Sequence, residues 1–274
     1  MKLVSGKTAL SVLYLLFLAA PAISFAQSDN AAITYGNYRK IHSKVLGEDR
    51  TLLIRLPADY EKSGQAYPVL YKLDGNREIS LQAFSTLNYL VDMTDKVPDH
   101  IVVGIENTDR TRDMNPDRGA DNFVQFIKTE LTPFIDKNYR TSGFKVLDGQ
   151  SASAMFALYS FLKEPALFDA YLLSSFGLFN ENQAAYFMNE LGKNRDLRKV
   201  GKKCLFVANG KKDAYDRDGS IAKRGALFLD SLKQTVPASV LMKSTDYDDE
   251  GHVPFPSTYD GLRWIYSCEK SAIK

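Results

Sequence analysis

The sequence predicts an α/β fold with a mostly parallel central sheet and helices on both faces. Three observations predict it. Compact, largely apolar runs recur along the chain, at Tyr67 to Leu73, His100 to Ile105, Phe144 to Asp148, Ala170 to Ser174 and Cys204 to Ala208. Segments with apolar residues at helical spacing separate them, as in Phe123, Phe126, Ile127, Leu131 and Ile135. Strands buried on both faces read as such runs, and their alternation with helices is the pattern of parallel crossovers. Third, two extended segments come first, 33–46 and 51–57, with the turn Gly47-Glu48-Asp49 between them. They read as a hairpin that adds antiparallel strands at one end.

The elements follow in order. The third strand, Tyr67 to Leu73, ends at Asp74-Gly75-Asn76, and Ile79 to Asp92 reads as a helix. A buried strand follows at 100–105, then a long amphipathic helix at 121–138. The strand Phe144 to Asp148 leads through a sharp turn into a helix from Ala154 to Leu162. After the strand 170–174, residues 177–199 are mixed and partly helical. The remaining expectations are a strand at 204–208, a helix at 220–234, a strand at 240–243 and a final helix at 257–267.

Composition narrows the classes of function. The 274-residue chain carries a formal net charge of +2, and its lysines and arginines are scattered. That distribution offers no footprint for nucleic acid. Residues 1–26 read as a secretory signal: Lys2 and Lys7 head an apolar run, Ala9 to Ala20, and Ser24-Phe25-Ala26 supplies small residues for cleavage after Ala26. Residues 27–274 then form one exported domain, periplasmic or secreted, with no stable membrane span. Cys204 and Cys268 are the two cysteines, and an exported protein has the setting to bridge them or leave them as separate thiols. Their spacing and that of the three histidines fit no zinc site, so neither a metal nor an organic cofactor is expected.

The chemistry centres on Gly149-Gln150-Ser151-Ala152-Ser153. Strand, tight turn, serine and helix together present a nucleophile at the top of a sheet. A serine hydroxyl needs a base, and the base needs an orienting group. His252 lies on a loop after the last strand, whereas His42 lies in the first strand and His100 leads into a buried one. An acid belongs on the loop after the preceding strand, which holds Asp213, Asp216 and Asp218. Asp213 comes first, after the Gly210 turn, and is the expected partner. The other two stay open, as does a serine–histidine dyad. Two N–H groups would hold the oxyanion: that of Ala152, directly after the nucleophile, and that of Asn76 in the loop after the third strand. Arg77 and Gln150 flank these positions as candidate substrate contacts. Arg110, Arg112 and Arg118 also follow a strand, placed either to face an anion or to pair with Asp109, Asp113 and Asp117.

These residues carry a resemblance. The chain resembles the putative-esterase family of α/β-hydrolases, in its siderophore-esterase and esterase D-like branch. The carriers include Tyr67-Pro68-Val69-Leu70-Tyr71-Lys72-Leu73-Asp74-Gly75, Asn107-Thr108-Asp109-Arg110-Thr111-Arg112-Asp113, Asp136-Lys137-Asn138-Tyr139-Arg140-Thr141 and Gly251-His252-Val253-Pro254. The resemblance implies an α/β-hydrolase fold and hydrolysis of a small-molecule ester, with Ser151 as nucleophile, His252 as base, and Asn76 and Ala152 at the oxyanion. Siderophore-type or aryl esters are the implied substrates. Acyl transfer and a non-catalytic binding role on the same fold are the alternatives. The family usually reads Gly-His-Ser-x-Gly-Gly where this chain has Gly149-Gln150-Ser151-Ala152-Ser153-Ala154.

Overall fold

The computed structural model describes residues 34–271 except 95 and 195. The expected signal, residues 1–26, lies outside the described residues, as does the start of the first extended segment. Eight strands form one sheet. They are β1 (Asn37–Ser43), β2 (Glu48–Arg55), β3 (Tyr67–Lys72), β4 (Ile101–Ile105), β5 (Thr141–Gln150), β6 (Ala170–Ser174), β7 (Lys203–Gly210) and β8 (Val240–Tyr247). Their order in the sheet is β1-β2-β4-β3-β5-β6-β7-β8. The pairings β1–β2 and β2–β4 are antiparallel, and the rest are parallel. This is the mostly parallel sheet the sequence predicts.

Alternation along each central strand builds two cores. Leu52, Val69, Tyr71, Val103, Leu147, Tyr171, Leu173, Leu205 and Val207 point to one face. Leu53, Leu70, Val102, Val146, Leu172, Cys204 and Phe206 point to the other. A period of two with both sets apolar is why these strands read as unbroken runs. The first face is covered by α4 (Ala120–Phe126), α5 (Thr132–Asn138), α6 (Ala152–Lys163), α7 (Glu181–Lys193) and α8 (Ser220–Thr235). The second is covered by α2 (Arg77–Thr94) and α9 (Ser257–Lys270). Two short helices, α1 (Tyr60–Ser63) and α3 (Arg110–Asp113), sit in connections.

Several elements differ from expectation for local reasons. The helix expected over 121–138 is interrupted by a π-helical turn, Ile127–Leu131, between α4 and α5. Glu130 in that turn accepts from Ser43 Oγ at 2.5 Å and from Lys44 N–H at 2.9 Å, and so closes the β1–β2 hairpin. β8 continues to Tyr247 through polar residues, because it is an edge strand with no neighbour on its outer side. Cys204 in β7 and Cys268 in α9 are joined by a disulfide, with Cα atoms 6.3 Å apart. Among the described residues no helix is long and apolar enough to cross a membrane.

β3 is the first parallel strand; β4 then lies on one side of it and β5 on the other. The carboxyl ends of β3 and β5 therefore flank a topological switch point, where open α/β sheets form their ligand crevices. Asp74 to Asn76 leave one of these ends and Ser151 leaves the other.

Candidate active site

Only four non-glycine residues among those described have positive φ: Asp74 (53°), Ser151 (56°), Ser175 (51°) and Val253 (57°). Asp74, Ser151 and Ser175 directly follow or nearly follow the carboxyl ends of β3, β5 and β6, and Val253 lies on the loop after β8. Such conformations cost of order 1–3 kcal/mol each and persist only where surrounding contacts impose them. Ser151, with ψ −123°, lies outside the left-handed helical region. Its N–H donates to Ser174 O at 2.8 Å, and its own carbonyl accepts from Met155 N–H, starting α6. The turn needs glycine before it. A Cβ on Gly149 would lie 2.3 Å from the Ser153 carbonyl oxygen, so only a bare backbone lets strand and helix pass this closely.

His252 reaches the same edge. Its Nδ1 lies 2.7 Å from Asp213 Oδ2. A carboxylate only accepts, so Nδ1 carries a proton, and in the neutral imidazole this leaves Nε2 as the accepting nitrogen. Backbone bonds hold the two loops together: Lys211 N–H donates to Tyr247 O and Lys212 N–H to Glu250 O, both at 2.9 Å. Val253 N–H donates to Ser175 Oγ at 2.7 Å. Ser175 follows Ser174, the acceptor of the Ser151 N–H, so one short segment tethers both the serine turn and the histidine loop. The Tyr215 ring packs edge-on to the imidazole, with centroids 4.7 Å apart.

The other candidates are engaged elsewhere. Asp216 accepts from the N–H groups of Ile221 and Ala222 at 2.8 and 2.7 Å, and Asp218 from Ser220 N–H at 3.0 Å, so both serve the N-terminus of α8. His42 is exposed and pairs with Asp49. His100 is fully buried against the Tyr266 hydroxyl, and burial pushes its pKa down to about 4.

Asn76 sits at the N-terminus of α2. Its Oδ1 accepts from Ile79 N–H at 3.0 Å, and its own N–H donates to Asp74 O at 2.8 Å across a three-residue turn. To serve an oxyanion that N–H has to share or leave this bent bond. Arg77, exposed, leans on the neighbouring Glu78. Gln150 ends β5, and its carbonyl and N–H both meet the Ser153 hydroxyl at 2.8 Å. The arginine pairings are longer in range than the sequence suggests. Arg110 forks onto Asp74 at 2.7 and 2.8 Å. Arg112 bonds Glu48 as well as Asp113. Among the described residues no cluster of three or more His, Cys, Asp or Glu is arranged to hold a metal.

The sequence marks Ser153 but gives no role to its buried hydroxyl, which donates to Asp74 Oδ2 at 2.7 Å, and it does not mark Ser175. The one signal for Ser153 was a hydroxyl residue where the family carries glycine. Two concavities are candidate substrate spaces, and Ser151 lines neither. One, of about 330 Å³, is lined by Ser175, Phe176, Asp213, Tyr215, Ile221 and His252. The other is a more apolar groove of about 680 Å³ between α2 and α9, lined by Leu81, Ser85, Tyr89, Phe255, Pro256 and Tyr259 among others.

A mostly parallel sheet with helices on both faces, carrying a strained serine turn and a histidine–carboxylate pair on loops at its carboxyl edge, is the architecture of an α/β-hydrolase. Residues 43–226 match the Esterase family, described as putative esterase, and the chain belongs to that family. It is similar to an IroE-like serine hydrolase from Shewanella oneidensis, at 28% identity over 85% of this chain and 80% of that one, with a TM-score of 0.73. It is also similar in fold to the siderophore hydrolase EstA of Aspergillus nidulans, at 20% identity, with coverage of 85% and 94% and a TM-score of 0.71. The enterobactin and salmochelin hydrolase IroE aligns at 18% identity, with coverage of 88% and 98% and a TM-score of 0.62. No curated protein sequence matches the chain. The family, with the 28%-identical serine hydrolase, supports an esterase activity on a small-molecule ester.

Proposed function

We propose that this protein is an exported, serine-dependent carboxylic ester hydrolase that works through an acyl-enzyme. The observation that carries the reading is the strained turn of Ser151 at the head of α6, tied through Ser174 and Ser175 to the loop of the His252–Asp213 pair. Ser151 Oγ attacks the ester carbonyl while His252 Nε2 takes its proton. Asp213 holds the ring and stabilises the imidazolium. The oxyanion lies between the N–H groups of Ala152 and Asn76. His252 then protonates the leaving alcohol, and water attacks the acyl-enzyme by the same route in reverse.

Siderophore-type or aryl esters are the proposed substrates. The groove between α2 and α9 supports this choice: α2 begins at Arg77, next to Asn76, and Phe255 lies three residues past His252, so both walls are continuous in sequence with the candidate machinery. Tyr89, Phe255 and Tyr259 offer aromatic faces there. Arg77 and Gln150 are the proposed polar contacts. Export is supported by the disulfide, which is the habit of oxidising compartments.

The test is intact-mass measurement after fluorophosphonate treatment, with peptide mapping. One adduct on Ser151, lost in Ser151→Ala together with turnover of p-nitrophenyl esters, is the expected result. Undiminished turnover by a folded Ser151→Ala variant refutes the proposal.

A further inference from the structure

We propose that Ser153, two residues after the nucleophile, is a positioning residue that locks the two halves of the oxyanion site to each other through Asp74. This rests on the hydrolase reading above and goes beyond it, because it gives a role to the hydroxyl that replaces the family's glycine.

The geometry carries the inference. Ser153 is fully buried on the first turn of α6. Its Oγ accepts from Gln150 N–H at 2.8 Å and faces two acceptors, Asp74 Oδ2 at 2.7 Å and Gln150 O at 2.8 Å. A hydroxyl has one proton, and the carboxylate is the stronger acceptor, so the bond to Asp74 is the dominant one. Asp74 is itself over-determined. Arg110 donates to both of its oxygens, and Asn107 Nδ2 donates to Oδ1 at 2.7 Å. Burial alone would raise the Asp74 pKa, but the donors from Arg110, Asn107 and Ser153 outweigh it and hold the carboxyl below its usual range. The group is therefore a fixed anion to which three segments are bound: the loop after β3, the loop after β4, and the serine turn.

Asn76 lies two residues past Asp74, and Ala152 lies between Ser151 and Ser153. The spacing of the two proposed oxyanion donors is thus set by a path that runs from Ala152 through Ser153 Oγ and the Asp74 carboxylate to Asn76. Gly75 tightens this path, since a Cβ there would lie 2.3 Å from Ile105 N, which presses the loop onto β4. An oxyanion forms only as the tetrahedral intermediate is approached, so loosening the path lowers kcat and leaves ground-state binding nearly untouched. Misplacement by a fraction of an ångström to an ångström costs on the order of 10- to 100-fold in rate.

The experiment measures kcat and KM of Ser153→Ala, Ser153→Gly and Ser153→Thr on an aryl ester. Concentrations are set by fluorophosphonate titration to completion, so that only folded, labelled enzyme is counted. Expected are a kcat per titrated site at least tenfold lower in Ser153→Ala with KM within twofold, and a clearly higher kcat in Ser153→Thr, which keeps the hydroxyl. Asp74→Asn should lower kcat similarly, and its combination with Ser153→Ala should cost much less than the product of the two. A kcat per site within twofold of wild type in Ser153→Ala overturns the inference, as does full multiplicativity of the pair. Ser153→Gly is read in the same way if the alanine variant does not accumulate folded. Absence of labelling in the wild type sinks the hydrolase reading instead, so the two failures are told apart.

Discussion

The disulfide encloses the proposed acid and base. Cys204 stands near the start of β7 and Cys268 in the last turns of α9, 64 residues later, with Asp213 and His252 between them. The bridge excludes from the unfolded ensemble every conformation in which those ends are far apart. For a loop of this length the chain-entropy relation gives about 4 kcal/mol of stabilisation at 25 °C. For a domain of this size that corresponds to roughly 8–16 °C in Tm. Both cysteines are buried, so a cross-link formed in the folded protein is shielded from mild reductant. The perturbation is the double variant Cys204→Ala/Cys268→Ala, compared with the oxidised wild type by thermal and guanidinium unfolding. Because the constraint acts on the unfolded chain, kcat at 25 °C should stay within about threefold, provided both forms are folded. A stability loss below about 1 kcal/mol would refute the chain-entropy reasoning. A large fall in kcat at full foldedness would show that the bridge shapes the site itself.

Two further outcomes are expected. Asp213→Asn should keep the fold but lower kcat by about 10³–10⁴, since an amide permits the wrong imidazole tautomer. Steady-state turnover at constant melting temperature checks this, and a loss under tenfold would favour a dyad. The second concerns acid. The Arg112 hydrogen bond, aided by Arg50, holds Glu48 down at about 2 against the opposing effect of burial. A carboxyl depressed on folding contributes stability that is complete above its ordinary value, near 4.5, and that fades as pH falls toward 2. Glu48→Gln should therefore lose stability at neutral pH and show a flatter acid limb between those values. Parallel acid limbs from urea titrations at successive pH values would contradict the assignment.

Much of the architecture was legible because the central strands are buried on both faces. Val69 to Tyr71, Ile101 to Val103 and Tyr171 to Leu173 are aliphatic or aromatic whichever way they point, and all are buried. β5 begins at Thr141, ahead of the apolar run that opens at Phe144, because its first residues are polar or glycine; Gly143 has φ +90°, and the register shifts between Tyr67 and Val69 opposite. The later half of β8 is polar because an edge strand has no second neighbour to bury it. Within the site, the serine turn is visible as local chain chemistry. The Asp74 assembly is not, because its partners stand 33, 36 and 79 residues away and meet only once β3, β4 and β5 are aligned. Ser153 illustrates the limit: its place in the motif is plain, but its partner is known only from the fold.

Val253 shows what the strained edge implies for heat tolerance. A β-branched side chain at φ 57° is disfavoured on its own, and glycine there would relieve about 1–2 kcal/mol. Yet the same conformation aims the Val253 N–H at Ser175 and seats the imidazole next door. Glycine would keep that N–H and reach the same φ, but its greater freedom in the unfolded chain costs roughly 0.5–1 kcal/mol and offsets much of the relief, so heat tolerance has little to gain at this codon.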